Sequence, residues 1–192
     1  MLNRRDAAAA LLRNRGELLV VTGLGSPTYD VAAAGDDDRN FYLWGAMGGA
    51  CMVGLGLALA TPERSVLVVT GDGEMLMGMG SLATVAQQMP RNLAIVVLDN
   101  GRYGETGMQA SHTGGPTDLV KVASGCGIPT ALNVTDHAGL DHLTGAITRR
   151  AGPVFARVLI APEEEPRVLP MRDGVALKLR FRHALGVADR GP

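Results

Sequence analysis

Cysteine is scarce in this sequence. Cys51 and Cys126 are the only two, and their separation fits neither a metal cluster nor a redox pair. They read as buried free thiols, which suits a cytoplasmic location. An excess of charge of one sign is lacking too. Lysine and arginine number 18 against 19 acidic residues, for a net charge of −1. No basic patch dominates, so nucleic acid is not an expected partner. Long hydrophobic runs are also missing. The longest, at 46–60, is broken by glycines and bounded by Pro62, Glu63 and Arg64. That length and composition suit a buried helix rather than a membrane span. The start, Met1-Leu2-Asn3-Arg4-Arg5-Asp6, is charged and lacks the apolar stretch and cleavage site of a signal peptide.

What is present is apolar material in quantity. Of 192 residues, 46% are hydrophobic, enough for the core of one compact domain and too much for a disordered chain. Short apolar runs rich in β-branched residues occur at 18–22, 65–70, 93–99 and 153–160, and each reads as a buried strand. Helices are expected between and around them, at 3–14, 46–59, 78–89, 119–125, 139–150 and 175–186. Continuously apolar strands alternating with helices predict an α/β protein. Its expected form is a three-layer α/β/α fold with a mainly parallel sheet. The whole chain, 1–192, reads as one domain with a C-terminal extension from about 162 to 192. Within it the proline- and glutamate-rich 162–173 is an exposed connection. The acidic run Asp36-Asp37-Asp38 reads as a solvated turn.

Ligands of open α/β sheets bind where the strands end, and three features fall there. Thr70-Gly71-Asp72-Gly73-Glu74 follows the strand at 65–70. Its glycines let the backbone turn sharply and bring N–H groups close to an anion, and the helix that follows adds its dipole. Asp72 adds a hard oxygen, the ligand type that magnesium prefers. Asp99-Asn100-Gly101-Arg102-Tyr103-Gly104 follows the strand at 93–99, and Asn100 lies 28 positions after Asp72. One strand-helix-strand unit fits that interval, so both loops emerge at one sheet edge. The Asn100 side-chain carbonyl is then a second oxygen ligand and the Arg102 backbone carbonyl a third. Leu43-Trp44-Gly45-Ala46-Met47-Gly48-Gly49, which opens the glycine-rich helix, faces the same edge. Gly-Asp-Gly alone is a common tight turn, but the second loop at this interval makes the pair specific. By contrast, Gly23-Leu24-Gly25 lacks the third glycine of a dinucleotide loop and is followed by Pro27.

These motifs resemble the signature of the thiamine diphosphate (ThDP) enzymes, in which Gly-Asp-Gly is followed, one strand-helix-strand unit later, by Asn-Asn. The resemblance implies the diphosphate-binding (PP-type) ThDP fold. It implies Mg²⁺ held by Asp72, Asn100 and Arg102, and cofactor contacts from Gly45, Ala46, Met47, Gly71, Gly73, Glu74, Tyr103 and Gly104. Met47 would wedge under the cofactor and keep it bent. Two departures stand out. Asp99 replaces the first Asn, and Glu74 stands where the family often has Ser or Ala, leaving its backbone N–H to serve.

Three stretches, at 41–48, 80–84 and 103–109, resemble the branch that decarboxylates sulfopyruvate and phosphonopyruvate, as does the C-terminal helix with Arg180-Phe181 and Ala184-Leu185-Gly186. That likeness implies decarboxylation of a small 2-oxo acid to the aldehyde and carbon dioxide. The family's pyrimidine-binding segment, with the glutamate that promotes ylid formation, has no match here. A partner α subunit is therefore expected to supply it, in a hetero-oligomer with the active site between subunits. Gln109, Ser111, His112 and Thr113 are candidate substrate contacts, with His112 a candidate proton relay, while His137, His142 and His183 lie on expected helices. The alternatives are an acetolactate-type carboligase subunit and a non-catalytic binding or regulatory subunit. The ferredoxin-linked 2-oxo acid oxidoreductases are disfavoured, because they usually bring cysteines for an iron–sulfur cluster.

Overall fold

The computed structural model describes residues 1–187. In chain order its first elements are α1 (Arg4–Leu12), β1 (Leu19–Thr22), α2 (Ser26–Ala33), β2 (Asn40–Tyr42) and α3 (Ala50–Ala60). The central part holds β3 (Val66–Gly71), α4 (Asp72–Met77), α5 (Ser81–Gln88) and β4 (Leu93–Asp99). A small hairpin, β5 (Arg102–Tyr103) and β6 (Gln109–Ala110), precedes α6 (Leu119–Gly125), β7 (Thr130–Val134), α7 (His137–Thr148), β8 (Val154–Leu159) and α8 (Gly174–Ala184).

Six strands form one sheet in the order β2-β1-β3-β4-β8-β7, with every pairing parallel. Successive side chains of a strand point to opposite faces, and the core divides accordingly. Val20, Leu67, Val69, Val96 and Ala156 pack under α1, α2 and α7. Val21, Val66, Val68, Ile95 and Phe155 pack under α3, α5 and α6. The expected three-layer α/β/α fold is therefore present. Among the described residues no helix is long and apolar enough to cross a membrane.

Several local expectations need correction. The helix expected at 46–59 starts only at Ala50, because Gly45 and Gly48 take φ of +74° and +84° in the turn before it. The helix expected at 78–89 begins only at Ser81, as α5, and a separate helix, α4, occupies Asp72–Met77 before it. Between them Gly78 runs so close to Gly48 that a Cβ would collide with the Gly48 carbonyl. Elements α2, β2 and β7 have no counterpart among the expected ones. The first is an eight-residue helix, the second a three-residue strand. Edge strand β7 is half-exposed, so none of the three shows a sustained apolar pattern.

The acidic run is also more than a solvated turn. Asp36 accepts hydrogen bonds from Arg180 Nη1 and the Tyr42 hydroxyl, both at 2.7 Å. Asp37 pairs with Arg39 at 2.8 Å. Burial pushes the Asp36 carboxyl up, but the hydrogen bonds from Arg180 and Tyr42 outweigh it and the net shift is downward. The Arg39 hydrogen bond holds Asp37 well below the usual carboxylate range.

Segment 162–173 has no regular structure and is largely exposed, as expected. It leads to α8, which lies against β2 at the sheet edge. Phe181 meets Phe41 edge-on with ring centroids 5.4 Å apart, while Leu177 joins the core on the other face. Truncation of Phe181 to Ala is expected to lower stability by about 3 kcal/mol, read as a lower urea midpoint. A midpoint unchanged from wild type would mean that α8 contributes nothing to the core.

Candidate functional site

Strands β3 and β4 end side by side, with Gly71 paired to Leu98, and Asp99 is paired to Leu159 on β8. Neighbouring strands lie about 4.8 Å apart, so the turns carrying Asp72 and Asn100 leave the sheet as neighbours. Over them lies a cavity of about 380 Å³. Gly71, Asp72 and Gly73 line it from the first turn, and Asn100, Arg102, Tyr103 and Gly104 from the second.

Asp72 is buried. One carboxylate oxygen accepts hydrogen bonds from the hydroxyls of Ser111 and Thr113, the latter at 3.0 Å. The Thr113 hydroxyl also meets Asp99 Oδ1, at 2.8 Å. Asp99 in turn accepts from the Gly101 N–H at 2.8 Å and is ion-paired with Arg157. Asp99 thus braces the second turn from below, a task suited to a charged residue where the signature has Asn. The Asn100 side-chain oxygen accepts from the Arg102 N–H at 2.9 Å. That bond fixes its direction at the cavity wall.

The two neighbouring acids differ in charge balance. Asp99 has the Arg157 guanidinium. Burial pushes the Asp72 carboxyl up more than its hydroxyl donors pull it down, and Asp99 adds repulsion. No basic side chain among the described residues is ion-paired with Asp72. A buried carboxylate without a cation is unfavourable. Asn100 and Arg102 line the same cavity and can offer a side-chain amide oxygen and a backbone carbonyl. This set of hard oxygens suits Mg²⁺ completed by phosphate oxygens and water.

Met47 also lines the cavity and is 43% exposed. A methionine in ordinary core packing would be buried, so Met47 is not a core residue. Glu74 lines the cavity with its carboxylate buried. Gly45 and Ala46 belong to the exposed turn before Met47 and do not line it.

The segment expected to touch substrate divides. Ser111 and Thr113 are buried behind Asp72, holding it. Gln109 is exposed and bonded to Thr106. His112 is exposed and does not line the cavity, but its Nδ1 lies 3.1 Å from the hydroxyl of Tyr103, which does. His137 and His142 lie on α7 and His183 on α8.

Sequence reasoning missed part of the wall. Leu24, Ser26, Pro27 and Asp30 enter from the β1–α2 region and Arg4 from α1. Arg4 contacts Asp30 at 2.9 Å and the Ser26 hydroxyl at 2.9 Å, and Arg5 contacts Asp30 at 2.7 Å. No sequence pattern joins residues 26 positions apart.

Comparison with known proteins bears on this edge directly. Residues 28–158 match the thiamine pyrophosphate enzyme, C-terminal TPP binding domain. The chain belongs to this family. It is 42% identical to the sulfopyruvate decarboxylase subunit beta of Methanocaldococcus jannaschii, over 95% of this chain and 96% of that one. It is 39% identical to the phosphonopyruvate decarboxylase of Streptomyces viridochromogenes, over 87% of this chain but only 44% of that enzyme. Against such single-chain relatives it spans less than half their length. The benzoylformate decarboxylase of Polynucleobacter necessarius superposes with a TM-score of 0.72 at 20% identity, covering 86% of this chain and 34% of that one. This supports the fold of a ThDP domain.

Proposed function

We propose that this chain is the β-type subunit of a ThDP- and Mg²⁺-dependent decarboxylase of sulfopyruvate or phosphonopyruvate. One observation carries the reading. The unpaired Asp72 carboxylate and the Asn100 amide stand on adjacent turns of one cavity, which Met47 also lines. Asp72, Asn100 and the Arg102 carbonyl would hold the metal. Gly71, Gly73, the Glu74 N–H and the Tyr103–Gly104 turn would receive the diphosphate, and Met47 would support the bent cofactor from the turn that also carries Gly45 and Ala46. ThDP, when bound, supplies the nucleophilic carbon and the electron sink for loss of carbon dioxide.

The rest belongs to this chain's side chains. Ser111 and Thr113 keep Asp72 aimed at the cavity. Asp99 and Arg157 keep the second turn in place. His112 could exchange a proton through the Tyr103 hydroxyl. The chain is taken as one domain over 1–192 with a C-terminal extension from about 162, and the pyrimidine half as belonging to an α subunit. The near-full-length match to a protein named subunit beta supports this division. Two free thiols are in keeping with a cytoplasmic location.

The test is to assay the chain with its α partner on sulfopyruvate and phosphonopyruvate, with product analysis. Release of carbon dioxide and aldehyde supports the reading. A carboligation product would move the protein to the acetolactate type. No turnover together with no ThDP binding would favour a non-catalytic subunit.

A further inference from the structure

Glu74 is a buried acid to which the proposed function assigns only a backbone N–H. Its carboxylate is tied to three separate segments. One oxygen accepts from the Thr70 hydroxyl at 2.7 Å, at the end of β3. The other accepts from the Ala50 N–H at 3.3 Å, at the start of α3. The amides of Gly48 and Leu24 are close enough to favour its charged form. Gly23 completes the nest, because a Cβ there would overlap the Glu74 carboxylate oxygen. Burial pushes this carboxyl up, and these donors oppose the shift.

Three of these anchors are at, or next to, a residue of the cavity wall. Leu24 lines the cavity itself, Met47 adjoins Gly48, and Gly71 adjoins Thr70. Gly48 is further fixed by its backbone contact with Gly78. The turn carrying Met47 is therefore gripped on one side by Glu74 and on the other by α4's end. A serine or alanine at 74 could not reach Thr70, Ala50 and the backbone at Gly23 together.

We propose that Glu74 is a positioning residue for the cofactor, whose carboxylate locks the Leu24, Met47 and Gly71 segments into the arrangement that receives ThDP. This rests on the proposed ThDP site. Without the lock, the amides at 24, 48 and 50 lose their shared carboxylate and the Met47 turn loses its register with the Gly71 turn.

The experiment measures ThDP affinity by calorimetry at saturating Mg²⁺ in the two-subunit protein, alongside Tm. Glu74→Ala is expected to weaken binding by about ten-fold or more. Glu74→Gln should recover part of that loss, since its amide oxygen still accepts from one N–H. Gly23→Ala, which displaces the carboxylate while keeping it, should also weaken binding. Leu82→Ala, on the buried face of α5 and away from the cavity, should lower Tm yet keep wild-type affinity. If Glu74→Ala fails to fold, Glu74→Gln and Gly23→Ala carry the comparison. Wild-type affinity in the Glu74 and Gly23 variants, with ThDP binding intact in the parent, overturns the lock alone. A parent protein that binds no ThDP overturns the lock together with the proposed function.

Discussion

Substitution of Asp72 by asparagine is expected to weaken Mg²⁺-dependent ThDP binding by about 100-fold or more, since loss of even an outer-shell metal partner typically costs 10–100-fold. The same substitution is expected to leave the ligand-free fold at least as stable. The amide keeps an oxygen for Ser111 and Thr113 and removes a buried charge that has no cation. Binding and stability therefore move independently, which a purely structural aspartate would not allow.

The pH dependence follows from the same burial. Asp72 and Glu74 are both raised, chiefly by desolvation, from ordinary values of 3.8 and 4.5. A raised carboxylate destabilises the native state while ionised and stops doing so once protonated. Ligand-free protein should thus gain stability as pH falls from neutral through the raised values toward the ordinary ones. Asp36 and Asp37 are shifted the other way, so their contribution is lost on further acidification below 3.8. Tm scans without ligand should peak in the mildly acidic range, with a smaller acid rise in Asp72→Asn. Mg²⁺-dependent ThDP binding should weaken over that same descent, because protons compete with the metal for Asp72.

The isolated chain should show almost no decarboxylation, with activity restored by the α partner. The reason lies in where its glutamates are. Glu74 is enclosed by Thr70 and the amides at 24, 48 and 50. Glu105 lines the cavity but is exposed and paired with Arg167 at 3.3 Å. Glu17 pairs with Arg39, and Glu165 accepts from Asn3. None sits in an apolar pocket ready to exchange a proton with an aminopyrimidine. A positioned general acid or base is worth about 10²–10⁴-fold, so the chain alone should fall short of the reconstituted pair by about 1,000-fold. Carbon dioxide release measured for each subunit and for the mixture checks this. Full activity from this chain alone would refute the two-subunit account.

Much of the fold was legible because parallel strands buried on both faces leave unmistakable apolar runs. Residues 93–99 were placed to the residue, and β3 to within one position at each end. The cavity wall was legible where chemistry and strand ends coincide, at Asp72, Asn100 and Arg102. It was obscure where tertiary contact decides. The stop between α4 and α5 is one such case, because the close contact of Gly78 with Gly48 comes from a different segment. Ser111 and Thr113 lie in a polar stretch that looks like a surface loop, yet they turn inward onto Asp72. The Arg4–Asp30 pair and the Arg180–Asp36 pair join residues whose meeting no periodicity encodes. Glu74 reads as one more acid at the start of a helix, and only the nest around it shows why its length matters.

The central claim is that this chain grips the cofactor diphosphate through a metal on Asp72 and Asn100. It is tested most directly by titrating ThDP into the two-subunit protein with Mg²⁺ and again with excess chelator. Binding at one ThDP per chain that disappears with chelator, and in Asp72→Asn, is the expected result. Binding that is indifferent to chelator and to Asp72 would contradict it.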